Sequence, residues 1–329
     1  MHRRTFIDGV TTSVIAAPLA AFAQHQEKVW RIGFFYFASR QSSLDSGRFT
    51  AFLQGMRELG YSEGRNFVVE ARFADGKIER LPALAAELAQ LKVDVVVATG
   101  SPTYAALRNS NSSTPIVVTV TADPVIEGLA ASLARPGGNI TGLSDAAADL
   151  GPKQLELLMA MVPQLARVGV ILNPDNLSHP SQMKRLIVAA QKLGVQAVLA
   201  KAGTVAAIES GFELLARQRV DAVMLFGDTF FVQQLQQIVK AAIQHRKPSI
   251  YLVREYARAG GLMSYGADLV ENFRRAATYV DKILKGAKPG DLPFEQPAKY
   301  SLAINLKTAR ELGLTVSQSL LLRADELIQ

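Results

Sequence analysis

The chain has 329 residues, of which 49% are hydrophobic, and its formal net charge at pH 7 is +7. This length is sufficient for one large domain or two modest ones. The chain has no cysteine, which excludes disulfides, thiolate metal sites and cysteine nucleophiles. Its lysines and arginines are scattered without a basic block, so we interpret them as solvated surface charges and expect no nucleic-acid partner.

Residues 1–23 have the pattern of an export signal. The pair Arg3-Arg4 precedes an uncharged stretch that ends in the small-x-small sequence AFA. The stretch is shorter than the roughly 20 apolar residues that span a bilayer. The arginine pair favours the twin-arginine export route. We therefore predict a signal peptide over residues 1–23 and a periplasmic mature chain that begins at Gln24; an uncleaved anchor is the alternative.

From residue 30 onward, two halves of the chain repeat one order of predicted elements. The first half has a strand RIGFFYF, a helix that ends at Gly60, a strand NFVVEARF, a second helix, then VDVVVATGS and a strand after Pro115. The second half has RVGVILN, a helix that ends at Gly194, QAVLAKA, a helix, then VDAVMLFGDT and a strand after Pro248. Short Val/Ile-rich runs that alternate with amphipathic helices are typical of parallel sheets covered on both faces. We predict an α/β fold of two doubly wound parallel-sheet lobes with a ligand cleft between them.

The ends of the predicted strands supply the candidate ligand-binding residues. Open parallel sheets bind ligands outside the carboxyl ends of their strands. We expect Gly137-Gly138 to mark a crossing out of the first lobe and the stretch 265–268 to mark the return. The strand-end candidates are Phe37, Ser42, Thr99, Gly100, Ser101, Asp123, Asn173, Asn176, Asp228, Thr229 and Arg254.

These side chains have two compatible interpretations. Carboxylates such as Asp123 and Asp228 suit a ligand ammonium group, while Arg254 and helix N-termini suit a ligand carboxylate. Together they favour a zwitterion such as an amino acid. Alternatively, Ser101 and either Asp228 or Thr229 cap the helices that follow them, and Asp123 forms a turn.

Searches for catalytic motifs are negative. The sequence has no G-x-S-x-G, H-E-x-x-H, Walker loop or strand-linked G-x-G-x-x-G motif. His179 falls in a polar loop and His245 at a predicted helix C-terminus, so neither is expected to act as a catalytic base. We expect no enzymatic activity, no metal site and no cofactor.

Long motifs identify a family. They include LPALAAELAQLKVDVVVATGSP, GLAASLARPGGNITGLS, ARAGGLMSYGADL and the ending SLLLRADELI. On the basis of these motifs, the chain resembles the bacterial ABC-transporter substrate-binding proteins of the tryptophan/tyrosine-binding type. The resemblance extends over nearly the whole mature chain.

The resemblance implies a type I periplasmic-binding-protein fold, with two lobes that are joined by three crossovers and close on a ligand. Lobe 1 would comprise residues 29–143 and 268–290, and lobe 2 would comprise residues 144–267 and 291–329. The hinge at Tyr265-Gly266 would face the cleft together with strand-end residues of both lobes.

The resulting functional hypothesis is a solute receptor for an ABC importer. The protein would bind a small amino acid-like or aromatic carboxylate without chemistry and, as a monomer, dock on a membrane ABC permease. A sensory module for another membrane partner and an amino-acid-modifying enzyme on the same fold are the alternatives.

Overall fold

Parallel strand pairing organises the chain into two β-sheets in the computed structural model, which describes residues 28–110 and 113–329. The predicted α/β class with two parallel-strand sheets is confirmed. The predicted export signal over residues 1–23 lies outside the described residues. Within the two described ranges, no helix is long and apolar enough to cross a membrane.

The elements alternate along the chain as the sequence pattern predicts. In the described ranges the strands are β1 (Trp30–Tyr36), β2 (Phe67–Phe73), β3 (Val95–Thr99), β4 (Ile116–Val118), β5 (Ile140–Gly142), β6 (Arg167–Leu172), β7 (Gln196–Lys201), β8 (Ala222–Leu225), β9 (Ser249–Tyr251), β10 (Met263–Ala267), β11 (Tyr300–Asn305) and β12 (Glu326–Ile328). The α-helices are α1 (Arg40–Asp45), α2 (Arg48–Glu58), α3 (Leu81–Gln90), α4 (Ser101–Asn109), α5 (Ala147–Met161), α6 (His179–Lys192), α7 (Val205–Arg217), α8 (Thr229–Gln233), α9 (Leu235–Gln244), α10 (Arg254–Arg258), α11 (Leu269–Leu284), α12 (Leu306–Glu311) and α13 (Gln318–Arg323). Short 3-10 helices cover Ile78–Arg80 and Pro289–Asp291.

The first sheet has the order β2-β1-β3-β4-β5, and all its neighbouring strands run parallel. Helices α2 and α11 contribute Phe52 and Phe273 to the apolar core on one face. Helices α3 and α4 contribute Leu88 and Leu107 to the core on the other face. Because both faces are covered, the central strands are continuous apolar runs. We call this sheet with α1–α4 and α11 lobe 1.

The second sheet has the order β12-β11-β10-β9-β8-β6-β7. Its strands β7-β6-β8-β9-β10 repeat the order of lobe 1, as the internal repeat of the sequence predicts. Strand β11 runs antiparallel to β10, and β12 pairs parallel with β11. We call this sheet lobe 2, together with α5–α10, α12 and α13, which pack on its two faces.

The chain passes between the lobes three times: between β5 and α5, between β10 and α11, and after the 3-10 helix Pro289–Asp291. The first crossing differs from the sequence prediction at Gly137-Gly138. Those glycines precede β5, which still pairs with β4 in lobe 1. The backbone N–H of Gly137 donates to the Gly290 carbonyl at 3.1 Å, so this loop is tied to the segment before the third crossing.

Helix α11 returns to lobe 1 and packs directly against α2. Gly55 of α2 lies at their closest approach. A Cβ atom added to Gly55 would lie 2.2 Å from the Arg274 carbonyl oxygen and 2.9 Å from Cβ of Ala277. The neighbouring atom at 2.2 Å belongs to the backbone, so it cannot move aside without shifting the helix. The contact between α2 and α11 therefore requires glycine at position 55, because no side chain fits between the two helices there.

We predict that Gly55→Ala destabilises the protein by about 1–3 kcal/mol, because overpacking displaces α11. Gly211→Ala is the matched control, since Gly211 also lies inside a helix but its added Cβ would be 3.6 Å from Cβ of Ala200, an ordinary contact. There the better helix propensity of alanine should raise stability by about 0.5–1 kcal/mol. Urea unfolding measures both variants, and an unchanged or higher midpoint for Gly55→Ala would contradict the packing account.

Candidate functional site

A cavity lies where the carboxyl ends of strands from both lobes face each other. Most of its lining residues lie at the carboxyl ends of strands, or in the segments just after them: β1, β3 and β4 in lobe 1, and β6, β8 and β9 in lobe 2. The space that no atom fills measures about 860 Å³, including the part open to solvent. Open parallel sheets bind their ligands at this edge, so both sheets contribute to one candidate site.

The cavity brings together about half of the residues that the sequence singled out. The predicted residues that line it are Phe37, Thr99, Gly100, Ser101, Asn176, Asp228 and Thr229. The predicted residues outside its lining are Ser42, Asp123, Asn173, Arg254, Tyr265 and Gly266.

Glu127 presents a buried carboxylate on the lobe 1 side of the cavity, with 7% of its surface exposed. Its Oε1 accepts hydrogen bonds from the backbone N–H groups of Ala122 and Asp123, at 3.1 and 3.4 Å. Its Oε2 accepts from the Tyr104 hydroxyl and from Ser101 Oγ. Burial and the charge of Glu127 raise the pKa of Tyr104 well above its ordinary value, so this phenol stays a donor. All the partners of Glu127 are thus neutral donors.

Asp145 lies in the first crossing between the lobes, lines the cavity and is 3% exposed. Its Oδ1 accepts the backbone N–H of Ala147 at 3.1 Å. Burial, and to a lesser degree the charge of Glu127, raise the pKa of Asp145 to about 7. Near neutral pH this carboxyl group therefore exists in both protonation states.

Asp228 supplies a third carboxylate from lobe 2. Its Oδ1 accepts the N–H of Phe230 at 2.8 Å, which makes it the N-cap of α8, as one of the two sequence interpretations proposed. Asn173 Nδ2 donates to Oδ1 at 3.3 Å, and Asn176 Nδ2 donates to Oδ2 at 2.8 Å. Asn173 thus orients Asp228 without lining the cavity itself.

His179 fixes the strand ends that carry these amides. It is fully buried as the first residue of α6, whereas the sequence pattern placed it in a polar loop. Nδ1 lies 3.0 Å from the backbone N of Asn173, and Nε2 lies 3.1 Å from the Gly227 carbonyl oxygen. Burial lowers the pKa of His179. A neutral ring that accepts at Nδ1 and donates at Nε2 therefore links the ends of β6 and β8.

Arg48 is a buried cation at the start of α2 and joins the two lobes. Its Nη1 donates to the Tyr36 hydroxyl at 3.1 Å, and its Nη2 donates to Oε1 of Glu255 in lobe 2 at 2.9 Å. Burial opposes its charge, but Tyr36 and Glu255 more than offset this and raise the pKa of Arg48. Nε of Arg48 and the hydroxyl of Tyr256, another residue of the lining, are buried without a hydrogen-bond partner among the described residues.

Gly100 of lobe 1 and Thr229 of lobe 2 approach each other closely at the cavity. A Cβ atom on Gly100 would lie 2.6 Å from Thr229 Oγ1. Gly100 also has a φ of +87°, in the region that favours glycine. It is the N-cap of α4, so Ser101 is the first helical residue rather than the cap that the sequence predicted.

Four predicted site residues serve local structure instead. The Asp123 carboxylate accepts the N–H groups of Val125 and Ile126, both at 3.0 Å, and so closes the turn that the alternative interpretation expected. Ser42 lies in the short helix α1, where its N–H donates to Ser39 Oγ. The strand residues Tyr265 and Gly266 pair with β11 and are not a loop that faces the cavity.

Arg254 is the sixth predicted residue outside the lining. Its guanidinium forms an ion pair with Asp268, the N-cap of α11, at the second crossing between the lobes. The two residues lie in a separate surface depression together with Asp45 and Ser46. The candidate partner for a ligand carboxylate is therefore Arg48 and not Arg254.

Sequence reasoning missed the charged residues Arg48, Glu127 and Asp145. Glu127 lies only four positions beyond Asp123, in the loop that the strand-end rule had already selected, so a longer window would have included it. Arg48 has no comparable signal, because its partner Glu255 is 207 residues away. In residues 28–110 and 113–329, no group of His, Cys, Asp or Glu side chains has an arrangement that could hold a metal ion.

Comparisons with known proteins agree with this architecture. The chain is 26% identical over 272 residues to a tyrosine-binding protein of Clostridioides difficile strain R20291, which covers 83% of this chain and 78% of that protein. A solved structure of a conserved domain protein from Vibrio cholerae superimposes with a TM-score of 0.85 at 29% identity, over 91% of this chain and 100% of that one. The L-Trp complex of an ABC domain from Streptococcus pneumoniae superimposes with a TM-score of 0.84 at 24% identity, over 92% of this chain and 100% of that one.

The family model described as ABC transporter substrate binding protein matches residues 40–328, which include every described strand except β1 and every residue of the cavity beyond Ala38. The chain therefore belongs to the family of ABC transporter substrate binding proteins.

Proposed function

We propose that this chain is the extracytoplasmic solute-binding component of an ABC importer and binds a small amino acid-like solute or aromatic carboxylate in the cavity between its lobes. The observation that carries the proposal is the cavity, which is lined by Glu127 and Asp228 from loops that follow strands of the two sheets and by Arg48 from the start of α2. A carboxylate can bind a ligand ammonium group, and a guanidinium can bind a ligand carboxylate. The tyrosine and L-tryptophan named for two similar proteins support an amino acid.

Closure of the lobes is the second part of the proposal. The two lobes have the limits 29–143 with 268–290 and 144–267 with 291–329, and a ligand that touches both favours the closed form over the open one. The ion pair of Arg48 with Glu255 and the contact of Gly100 with Thr229 support a closed arrangement in this structure. Binding involves no reaction and no cofactor.

The cellular part of the proposal rests on the family and on the sequence of residues 1–23. These residues direct export, by the twin-arginine route, to the periplasm. There the closed, loaded protein docks as a monomer on the membrane permease of its importer. A ligand shifts the equilibrium only by its difference in affinity for the two forms, so it must bind the closed form more tightly than the open one.

A thermal-shift panel of amino acids and of aromatic and aliphatic carboxylates tests the receptor function. A ligand that binds only the folded state adds about 2.7 kcal/mol of stability at 100 times its Kd. We expect at least one member of the panel to raise the unfolding midpoint and to be recovered chemically unchanged. Conversion of the compound would instead support an enzyme, and a panel without any shift would contradict the proposed ligand class.

Asp228→Asn should weaken binding of the solute found in the panel by about tenfold or more, which corresponds to about 1.4 kcal/mol. The amide oxygen can still cap α8, so the loss reports the missing charge in the cavity together with the missing acceptor for Asn176 Nδ2. Asp123→Asn is the control, because Asp123 closes a turn outside the lining. Titration calorimetry measures both variants, and equal affinities for Asp228→Asn and the unmodified protein would remove Asp228 from the site.

Glu255→Gln should lower affinity by roughly fivefold although Glu255 does not line the cavity. The change removes one charge of the ion pair between the lobes, and a smaller closed population lowers the apparent affinity in proportion. Glu326→Gln is the control, since Glu326 pairs with Arg258 within lobe 2, at 2.7 Å. If both variants bind the solute equally well, the pair of Arg48 with Glu255 does not stabilise closure.

A further inference from the structure

Three carboxylates line the cavity without any cationic partner. Glu127 and Asp228 are bound by hydroxyls, amides and backbone N–H groups, and Asp145 is bound by one backbone N–H. Among the residues that the structure describes, no lysine, arginine or histidine nitrogen lies within 4.0 Å of their oxygens. Buried carboxylates are ordinarily paired with a cation or a metal ion.

The charge of the lining is therefore negative. Of the described residues around the cavity, Arg48 is the one cation, and Glu255 at 2.9 Å already neutralises it. All three carboxylates line this one cavity, and the charge of Glu127 acts on Asp145. An ammonium or guanidinium group in this region would relieve their mutual repulsion.

Asp145 adds a titrating group to this cluster. Burial and Glu127 hold its pKa at about 7. The other ionisable groups near Asp145 do not supply a cation. Burial and, to a lesser degree, the negative charge of Asp145 raise the pKa of Tyr300 in β11, so this phenol stays neutral. Asp149 of α5 is already paired with Arg185 of α6. A ligand cation favours the ionised form of Asp145, so binding at pH 6 must displace a proton.

We propose that Glu127 and Asp145, together with Asp228, form a cation-binding subsite, so that the solute must carry an ammonium or guanidinium group and carboxylates without one are rejected. This inference rests on the proposed function and narrows its ligand class from carboxylates in general to compounds that bear a cation. Glu127 is the specificity-determining residue, since it is buried at the cavity and also raises the proton affinity of Asp145.

Probes that share one skeleton test the charge requirement in the purified protein by titration calorimetry. L-Tryptophan, tryptamine and indole-3-propionate form one series, and L-tyrosine, tyramine and 3-(4-hydroxyphenyl)propionate form a second; L-lysine and L-arginine extend the panel to non-aromatic cations. We expect binding among the cationic probes, and in the series that binds we expect the amine to exceed the deaminated acid at least tenfold in affinity.

The variant Glu127→Gln separates charge from shape. Its Oε1 can accept the two backbone N–H groups and its Nε2 can donate to Tyr104, whose hydroxyl can donate to Ser101 Oγ, 2.8 Å away. We expect the amine to bind at least tenfold more weakly and the acid to bind more tightly, because the repulsion is reduced. Glu79→Gln removes the same charge from the exposed surface of lobe 1 and should leave both affinities unchanged.

A pH profile supplies a second readout, through Asp145 instead of a variant of Glu127. From pH 6 to pH 8 the affinity for the amine should rise about tenfold as Asp145 ionises in the free protein, because below its pKa the ligand competes with a proton. In Asp145→Asn this rise should be absent. Thermal unfolding of each variant checks that it is folded.

These experiments distinguish failure of the cation-binding subsite from failure of the proposed solute-receptor function. If the acids bind as tightly as the amines, or if Glu127→Gln behaves like Glu79→Gln, the cation-binding subsite is wrong while the solute receptor remains. If no cationic probe binds but other members of the wider panel do, the subsite is again wrong and the receptor again remains. If nothing binds in either panel, both the subsite and the proposed ligand class fail.

Discussion

Parallel strand pairing is the constraint on which the rest of this structure depends. All strands of a parallel sheet end at the same edge, so the loops that leave them meet there, however far apart they are in sequence. This chain uses the arrangement twice, with the orders β2-β1-β3-β4-β5 and β7-β6-β8-β9-β10. Because the two carboxyl edges face each other, residues from positions 36 to 269 surround one cavity.

The contact between these edges controls how charge is buried. Arg48 and Glu255 come from different lobes and lie only 2.9 Å apart. Arg48 is buried and the Glu255 side chain is 26% exposed, so their attraction acts in a medium less polar than bulk water. Burial also makes the unpaired carboxylates of the cavity costly, and a ligand cation would offset that cost. In the closure that we propose, the contact between the lobes and the charge of the ligand are coupled through this space.

Some residues position the carboxylates of the site, from behind the lining or from within it. His179 and Asn173 hold the ends of β6 and β8 and orient Asp228 from behind. Tyr104 and Ser101, both on α4, hold Glu127. Membership of the family accounts for the two-lobed fold, and the side chains of this cluster give the cavity its negative charge.

The sequence by itself determined the local structure, because strand and helix formation depend on neighbouring residues. The apolar runs, the repeated element order and the capping role of Asp228 could all be predicted from short stretches. The tertiary structure decided which strand-end residues share a cavity: it left Asp123 outside the lining and paired Arg254 with Asp268. It also decided that Arg48, Glu127 and Asp145 are buried at the site. Their roles depend on burial and on partners as distant as the 207 residues between Arg48 and Glu255, and no local sequence pattern encodes such contacts.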